Sequence, residues 1–411
     1  MSCEFDKLKK IFVTGAARSG TNLIARTINE HSTANIAIDP IIPFFSHYRD
    51  AVIRASADTL LYEFLGKPIN DYYFSDNQLK LLNLILSSDF GENVGVAERE
   101  AVLKACSRRS ELDSSDLAQD ILKISGSSYN EILSKFFNLV AGRSSEKNLT
   151  HVGFKDLWVP EFIPAMAKSF PEAQFIIVVR DIRAVLGSMV KLRATKPELS
   201  AHAISYVRQW RKLIACLSHF MSDKNLASRV LAVRYEDFVQ NSSSEIERMC
   251  RFLDLEFEVS MLGDNGYKDP ATGNRWKSNS SFDDKVHGIA HDTLSRWERV
   301  LSPDDRAMVS LMCEMELNWL GYDDDPIAKQ MGSGLVANAW RSFSWNDKHP
   351  GKWRSDSDDV YSEFANELAR HAFADMLIKK EGGASEVDLR RFFLFENATP
   401  NSFTGDIFNE K

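Results

Sequence analysis

The period of the hydrophobic positions changes several times along the chain. The first apolar run, "IFVTG" at 11–15, is short and continuous, as a buried strand requires. From Thr21 onward Leu23, Ile24, Thr27 and Ile28 recur at helical spacing, and "NIAID" then reads as a second strand ending at Asp39. A β-α-β unit is therefore expected within residues 10–39. Residues 50–148 show only helical patterns ("DTLLYEFLGK", "QLKLLNLILSS", "YNEILSKFFNLVAG") broken by polar stretches such as "SGSSYN" and "GRSSEKN". They read as a helical insertion or cap. Strand–helix alternation returns with "THVGFKD", a strand ending near Lys155, and "VPEFIPAMAKSF", a helix. The strand "AQFIIVVR", the helix "DIRAVLGSMVKL" and an amphipathic helix at about 200–221 follow. "RVLAVRYEDF" is then expected as a strand and "SSSEIERMCRFLDL" as a helix. The near-continuous "FIIVV" is what burial on both faces of a parallel sheet demands. The alternation predicts an α/β fold of three layers, a parallel sheet between two layers of helices. Past residue 326 the pattern thins. Residues 327–411 read as a C-terminal extension with a helix near 359–379 and a loose last dozen residues.

Composition narrows the function. Of 411 residues, 44% are apolar and 26% charged, which suits a soluble chain with a sizeable core. The net charge of −8 shows no global basic stripe for nucleic acid. No run reaches the length of a membrane span or a signal peptide. The cysteines (3, 106, 216, 250, 313) are odd in number and contain no C-x-x-C pair. This pattern suits a reducing compartment and argues against a cysteine-built metal site. A cytoplasmic protein is expected.

The candidate chemistry starts at the first turn. Gly15-Ala16-Ala17-Arg18-Ser19-Gly20-Thr21-Asn22 has the spacing of a phosphate-binding P-loop, G-x-x-x-x-G-K-[ST], without its lysine. A glycine turn entering a helix gathers backbone N–H groups at the positive end of the helix dipole, which holds an anion with or without a lysine. The missing lysine disfavours a nucleoside triphosphate with its metal, and Arg18 remains to neutralise a shorter anionic group. By itself the turn is also compatible with a merely structural strand–helix corner. A second anion site is readable in "FIIVVRDIRAVLGSM", where Arg180 ends a buried strand and Ser188 lies eight residues on. Ligands of open α/β sheets sit beyond the carboxyl ends of strands, and an arginine fork there suits a phosphate monoester. Pairing of Arg180 with Asp181 is the other reading open at this point.

Together the two stretches resemble the two nucleotide-binding motifs of the sulfotransferase family. "RYEDF" and "TLSRWERVLSPDDRAMV" followed by "LGY" resemble its C-terminal half, so the resemblance covers roughly 8–48 and 149–322. It implies a P-loop-NTPase-like topology over residues 1–326, interrupted by the 50–148 insertion. It also implies 3′-phosphoadenosine 5′-phosphosulfate (PAPS) as co-substrate and no metal. The 5′-phosphosulfate would lie on Gly15–Asn22 and the 3′-phosphate on Arg180 and Ser188. Ser295, in "TLSRW", resembles a serine that touches a donor phosphate. Lys155 resembles the leaving-group lysine of the tyrosylprotein branch and its bacterial relatives. Asp39 stands where that branch carries its glutamate base, with an Asp-Pro turn as the other use of Asp39-Pro40. Cytosolic members use a histidine, for which His47 and His151 are nearest by position. Arg183, and Arg275 with Lys277 in the loop at 274–282, are further candidates for the donor's phosphate and adenosine side. The implied catalytic set is Asp39, Arg18 and Lys155. The implied partner is a hydroxyl-bearing acceptor: a glycan, a small molecule or a tyrosyl peptide. The alternatives are a kinase or NTPase with a degenerate loop, which predicts Mg²⁺-dependent ATP binding, and a binding module without transfer.

Overall fold

A computed structural model describes residues 7–143, 148–195, 203–263, 266–269, 272–276, 288–326, 360–379, 385–400, 402 and 407–408. Five strands form one sheet: β1 (Lys9–Gly15), β2 (Ala34–Ile38), β3 (His151–Lys155), β4 (Gln174–Val179) and β5 (Val230–Arg234). Their order is β2-β3-β1-β4-β5 and every pairing is parallel. All carboxyl ends therefore lie on one edge. The strands show why both faces had to be apolar. Phe12, Phe154, Phe175, Ile177 and Val179 point to one face. Ile11, Val13, Ile36, Ile176, Val178, Leu231 and Val233 point to the other. Burying both sets needs helices on each side, as the alternation predicted.

The helix α1 (Thr21–Asn29) follows β1 directly, and α2 (Ile42–Ser56) follows β2. The sequence reading missed α2, and position 50 falls inside it. Its start is crowded with aromatic residues, and Phe44, Phe45 and Tyr48 pack with Phe90, Tyr129 and Phe162 in a cluster that obscures any single apolar stripe. The insertion continues with α3 (Asp76–Ser87), α4 (Val96–Ser110) and α5 (Tyr129–Gly142). "DTLLYEFLGK" contains only a 3-10 segment, Thr59–Phe64. The turn after α4 is tied to the sheet: Ser114 Oγ accepts from the Ile38 N–H and donates to the Ile38 carbonyl, both at 3.0 Å. It thereby occupies the open edge of β2.

In the second half come α6 (Ile163–Ser169), α7 (Ile182–Thr195), α8 (Ala203–Ser222), α9 (Tyr235–Gln240), α10 (Ser242–Leu253) and α11 (Pro303–Trp319). The predicted strand "RVLAVRYEDF" ends at Arg234, and "YEDF" is already helix α9. Its acidic pair, Glu236 and Asp237, suits the first turn of a helix better than a central strand. The extension carries α12 (Val360–Lys379) and α13 (Glu386–Phe393). It is no separate body, for Leu394, Phe395 and Phe408 join the core cluster that covers one sheet face. The Gly/Ser/Asn-rich stretch at 327–350 lies outside the described residues.

A buried ionic cluster locks the extension down. Glu367 on α12 receives Arg208 at 3.0 Å and Arg211 at 3.0 Å, both from α8. Arg370 pairs with Glu316 of α11, and its Nε donates to the Phe392 carbonyl. Although burial opposes its charge, the two arginines hold the Glu367 carboxyl down at about 2. Glu367→Gln is therefore expected to destabilise by about 3–5 kcal/mol, because two guanidiniums lose their buried counter-charge. The ordinary carboxyl value is 4.5, so this stabilisation is complete above pH 4.5 and is lost as pH falls towards 2. Thermal unfolding of both proteins at pH 7 and pH 3 checks this. The gap in melting temperature should be widest at pH 7.

Candidate active site

The strand register brings the predicted residues to one edge. Ile38 is opposite Lys155, Lys155 opposite Val13, and Gly15 opposite Val178. Asp39, Lys155, the glycine loop and Arg180 thus follow one another across β2, β3, β1 and β4. Neighbouring strands lie about 4.8 Å apart, so this row spans roughly 14 Å.

Steric and conformational demands shape the loop. A Cβ on Gly15 would lie 2.7 Å from the Val178 carbonyl oxygen. Gly20 has φ +96° and rests on the ring of Tyr235, where a Cβ would come within 2.2 Å. Arg18 also lies in the left-handed region, with φ 65°. Ser19 closes the turn, its N–H and Oγ both donating to the Ala16 carbonyl at 3.1 and 2.7 Å. No side chain caps α1 at Gly20, so the first N–H groups of the helix, at Thr21 and Asn22, have no capping side chain over them. Alternating left- and right-handed residues ahead of a helix end form a concavity of amides suited to an anion.

Arg180 stays at this loop. Its guanidinium donates to the Arg18 carbonyl at 2.9 Å and to the Thr293 carbonyl at 3.3 Å, and it stacks 4.2 Å from the centroid of Tyr235. Its Nε is buried without a hydrogen-bond partner. The competing reading is resolved: Asp181 is held by Arg183, at 2.7 Å, instead. Ser188, on α7, accepts from Arg18 Nε at 3.1 Å, so the two motifs are joined through Arg18 itself. Burial, and after it the charge of Arg180, pulls Arg18 down to about 10. An anion seated between the two guanidiniums relieves their repulsion.

Beside the loop, Lys155 Nζ donates to Asp39 Oδ2 at 2.7 Å, and both side chains are almost fully buried. Asp39 holds φ 50° immediately before Pro40, a conformation that costs about 1–3 kcal/mol and persists only where surroundings impose it. Its Oδ1 is buried and makes no hydrogen bond. Two further residues, which the sequence reading did not single out, complete the cluster. Arg109 of α4 lies 3.2 Å from Asp39 Oδ2. Asp156, next to Lys155, is fully buried, and neither carboxyl oxygen makes a hydrogen bond. Burial, and then the Asp39 carboxylate, push Asp156 well above the usual carboxylate range.

The other candidates lie elsewhere or act otherwise. His151 begins β3, at the opposite end from Lys155, and bonds the Leu253 carbonyl at 2.8 Å. His47 is half-buried on α2. Ser295 is exposed, while Thr293, two residues earlier, reaches Arg180 and bonds Tyr235 Oη through its Oγ1 at 3.0 Å. Arg183 is engaged by Asp181 and by the Asp323 carbonyl. Arg275 is exposed, and Lys277 lies outside the described residues.

The Sulfotransferase family model matches residues 10–259, from the first strand to beyond α10. The chain belongs to the sulfotransferase family. Among similar sulfotransferases, a putative protein-tyrosine sulfotransferase of Caenorhabditis elegans is 27% identical over 135 residues, 33% of this chain and 51% of that protein. Protein-tyrosine sulfotransferase 1 of Danio rerio is 27% identical over 172 residues, 41% of this chain and 47% of its own length. The chain thus spans about half the length of the curated relatives it matches. The solved sulfotransferase domain from the curacin biosynthetic pathway aligns with 80% of this chain and 97% of its own, at 16% identity and a TM-score of 0.42. Among the described residues no helix of this chain is long and apolar enough to cross a membrane.

The unpartnered carboxyl makes a stability prediction. A folded carboxyl raised above its unfolded value of 3.8 costs stability increasingly as pH rises past 3.8. Asp156→Asn keeps the shape and removes that cost. The variant is expected to be more stable than the parent by about 1 kcal/mol or more at pH 8, and to lose this advantage near pH 4. Chemical denaturation at the two pH values measures it.

Proposed function

We propose that this chain transfers a sulfuryl group from PAPS to a hydroxyl-bearing acceptor. The observation that carries the reading is the contact between Arg180 and the Arg18 carbonyl at 2.9 Å, which sets a strand-tip guanidinium against the glycine loop. A nucleotide with separate 5′ and 3′ anionic ends matches two such adjoining sites better than a single triphosphate does. The loop amides and Arg18 hold the 5′-phosphosulfate, and Arg180 with Ser188 holds the 3′-phosphate.

In the reaction, the acceptor oxygen forms a bond to sulfur as the bond from sulfur to the 5′-phosphate oxygen breaks. The electron pair leaves on that phosphate oxygen, giving adenosine 3′,5′-bisphosphate. Loop N–H groups, Arg18 and Lys155 stabilise the charge developing there. The acceptor proton passes to Asp39, whose Oδ1 is the oxygen not engaged by Lys155. The relatives named as protein-tyrosine sulfotransferases favour a tyrosyl hydroxyl as acceptor, ahead of glycan and small-molecule hydroxyls.

Differential scanning with adenosine 3′,5′-bisphosphate at about a hundred times its Kd should raise stability by roughly 2.7 kcal/mol. The rise should be the same with or without Mg²⁺ and should exceed that from ATP. A rise that requires Mg²⁺ and favours ATP would refute the reading and return the chain to the kinase or NTPase class. Arg180→Ala should weaken bisphosphate binding by tenfold or more, as loss of a charge-assisted phosphate contact does. Asp39→Asn should lower turnover on a tyrosyl peptide at least a hundredfold, the usual range for a lost general base.

A further inference from the structure

Asp39 has one unusual feature that the proposed reaction leaves unexplained. Two cations converge on the same oxygen, Lys155 at 2.7 Å and Arg109 at 3.2 Å, while the other oxygen has no partner. Turning the ammonium of Lys155 towards a leaving phosphate oxygen weakens its contact with Asp39. When it turns to the donor, Asp39 stays behind in a buried site next to the carboxyl of Asp156. A buried carboxylate stripped of its cation is costly. Arg109 is the group placed to meet that cost. It comes from the insertion and not from the sheet, and its other guanidinium nitrogen lies 3.4 Å from Asp113 on the following turn. Its helix is anchored beside Asp39, because Ser114 bonds both backbone groups of Ile38, the residue immediately before Asp39.

We infer that Arg109 is a positioning residue that takes over Asp39 when Lys155 swings to the donor, so that the insertion is part of the donor-binding equilibrium. This rests on the reading above in assigning Lys155 to the donor. Arg109 touches neither donor nor acceptor in this role. It keeps Asp39 paired and oriented, and thereby makes Lys155 available.

The test needs no acceptor. Adenosine 3′,5′-bisphosphate is titrated calorimetrically into the parent chain and five variants. Arg109→Gln should weaken binding about tenfold, the scale of one close charge pair, because Lys155 is then the last cation on Asp39. Arg109→Lys keeps a cation and should bind within about threefold of the parent. Adding Asp39→Asn to Arg109→Gln removes the carboxylate that competes for Lys155 and should restore the parent affinity. Lys155→Met with Arg109→Gln should bind no more weakly than Lys155→Met alone. Parent-like binding by Arg109→Gln overturns the inference. So does a loss in Arg109→Gln that Asp39→Asn fails to restore, which would mean that Arg109 contacts the nucleotide itself. If Arg109→Gln does not fold, an Arg109→Lys variant that binds tenfold more weakly overturns it equally. Failure of the parent chain to bind the bisphosphate at all strikes the proposed function instead, and so is distinguishable.

Discussion

The site hangs on one contact: the guanidinium of Arg180 on the backbone carbonyl of Arg18. It fastens the tip of β4 to the glycine loop after β1 and so joins the two proposed anion sites into one surface. The contact exists because both strands are parallel, adjacent and in a register that sets Gly15 against Val178. Tyr235 supports it from below, with Arg180 stacked on its ring and Gly20 pressed against the same ring. A side chain at Gly20 would displace the tyrosine, and with it the arginine. The glycine is therefore demanded twice, by its φ and by its neighbour.

Buried polar groups in this protein serve two different ends. Glu367 is buried between Arg208 and Arg211, which both donate to its carboxylate, and the three fasten α12 to α8. At the carboxyl edge of the sheet the same satisfaction is withheld. Asp156, Oδ1 of Asp39 and Nε of Arg180 are buried with no hydrogen-bond partner. Unsatisfied polar atoms cost stability, and those at this edge stand next to strained φ angles at Arg18 and Asp39, an arrangement that suits the proposed binding of charge. The insertion contributes directly to this edge. It is fused with the core through the aromatic cluster around Phe44, and it delivers Arg109 to Asp39.

Several elements were legible from residue order alone. The apolar runs at "IFVTG" and "FIIVV" and the 3.6-residue spacing after Thr21 report burial and backbone geometry that are decided within a few residues. The glycine turn is local too, since its N–H groups converge whatever the rest of the chain does. Where local signals conflicted, the reading failed. "YEDF" was extended as a strand because aromatic and apolar residues continue past Arg234. α4 was missed because its buried face carries Ser107 and Ser110 beside Val102, Leu103 and Cys106, so few apolar residues mark it.

Local patterning thus determined the strands, the loop and the expectation that charged residues at strand ends would matter. It determined Arg18, Arg180, Asp39 and Lys155 as separate candidates. Only the tertiary structure decided that Lys155 meets Asp39 across 116 residues of sequence, that Arg18 meets Ser188 across 170, and that Arg109 joins them from an inserted helix. The reason is physical. Hydrophobic period and turn geometry act between near neighbours in the chain. Charge pairing depends on distance in space, and strand order and register set that distance.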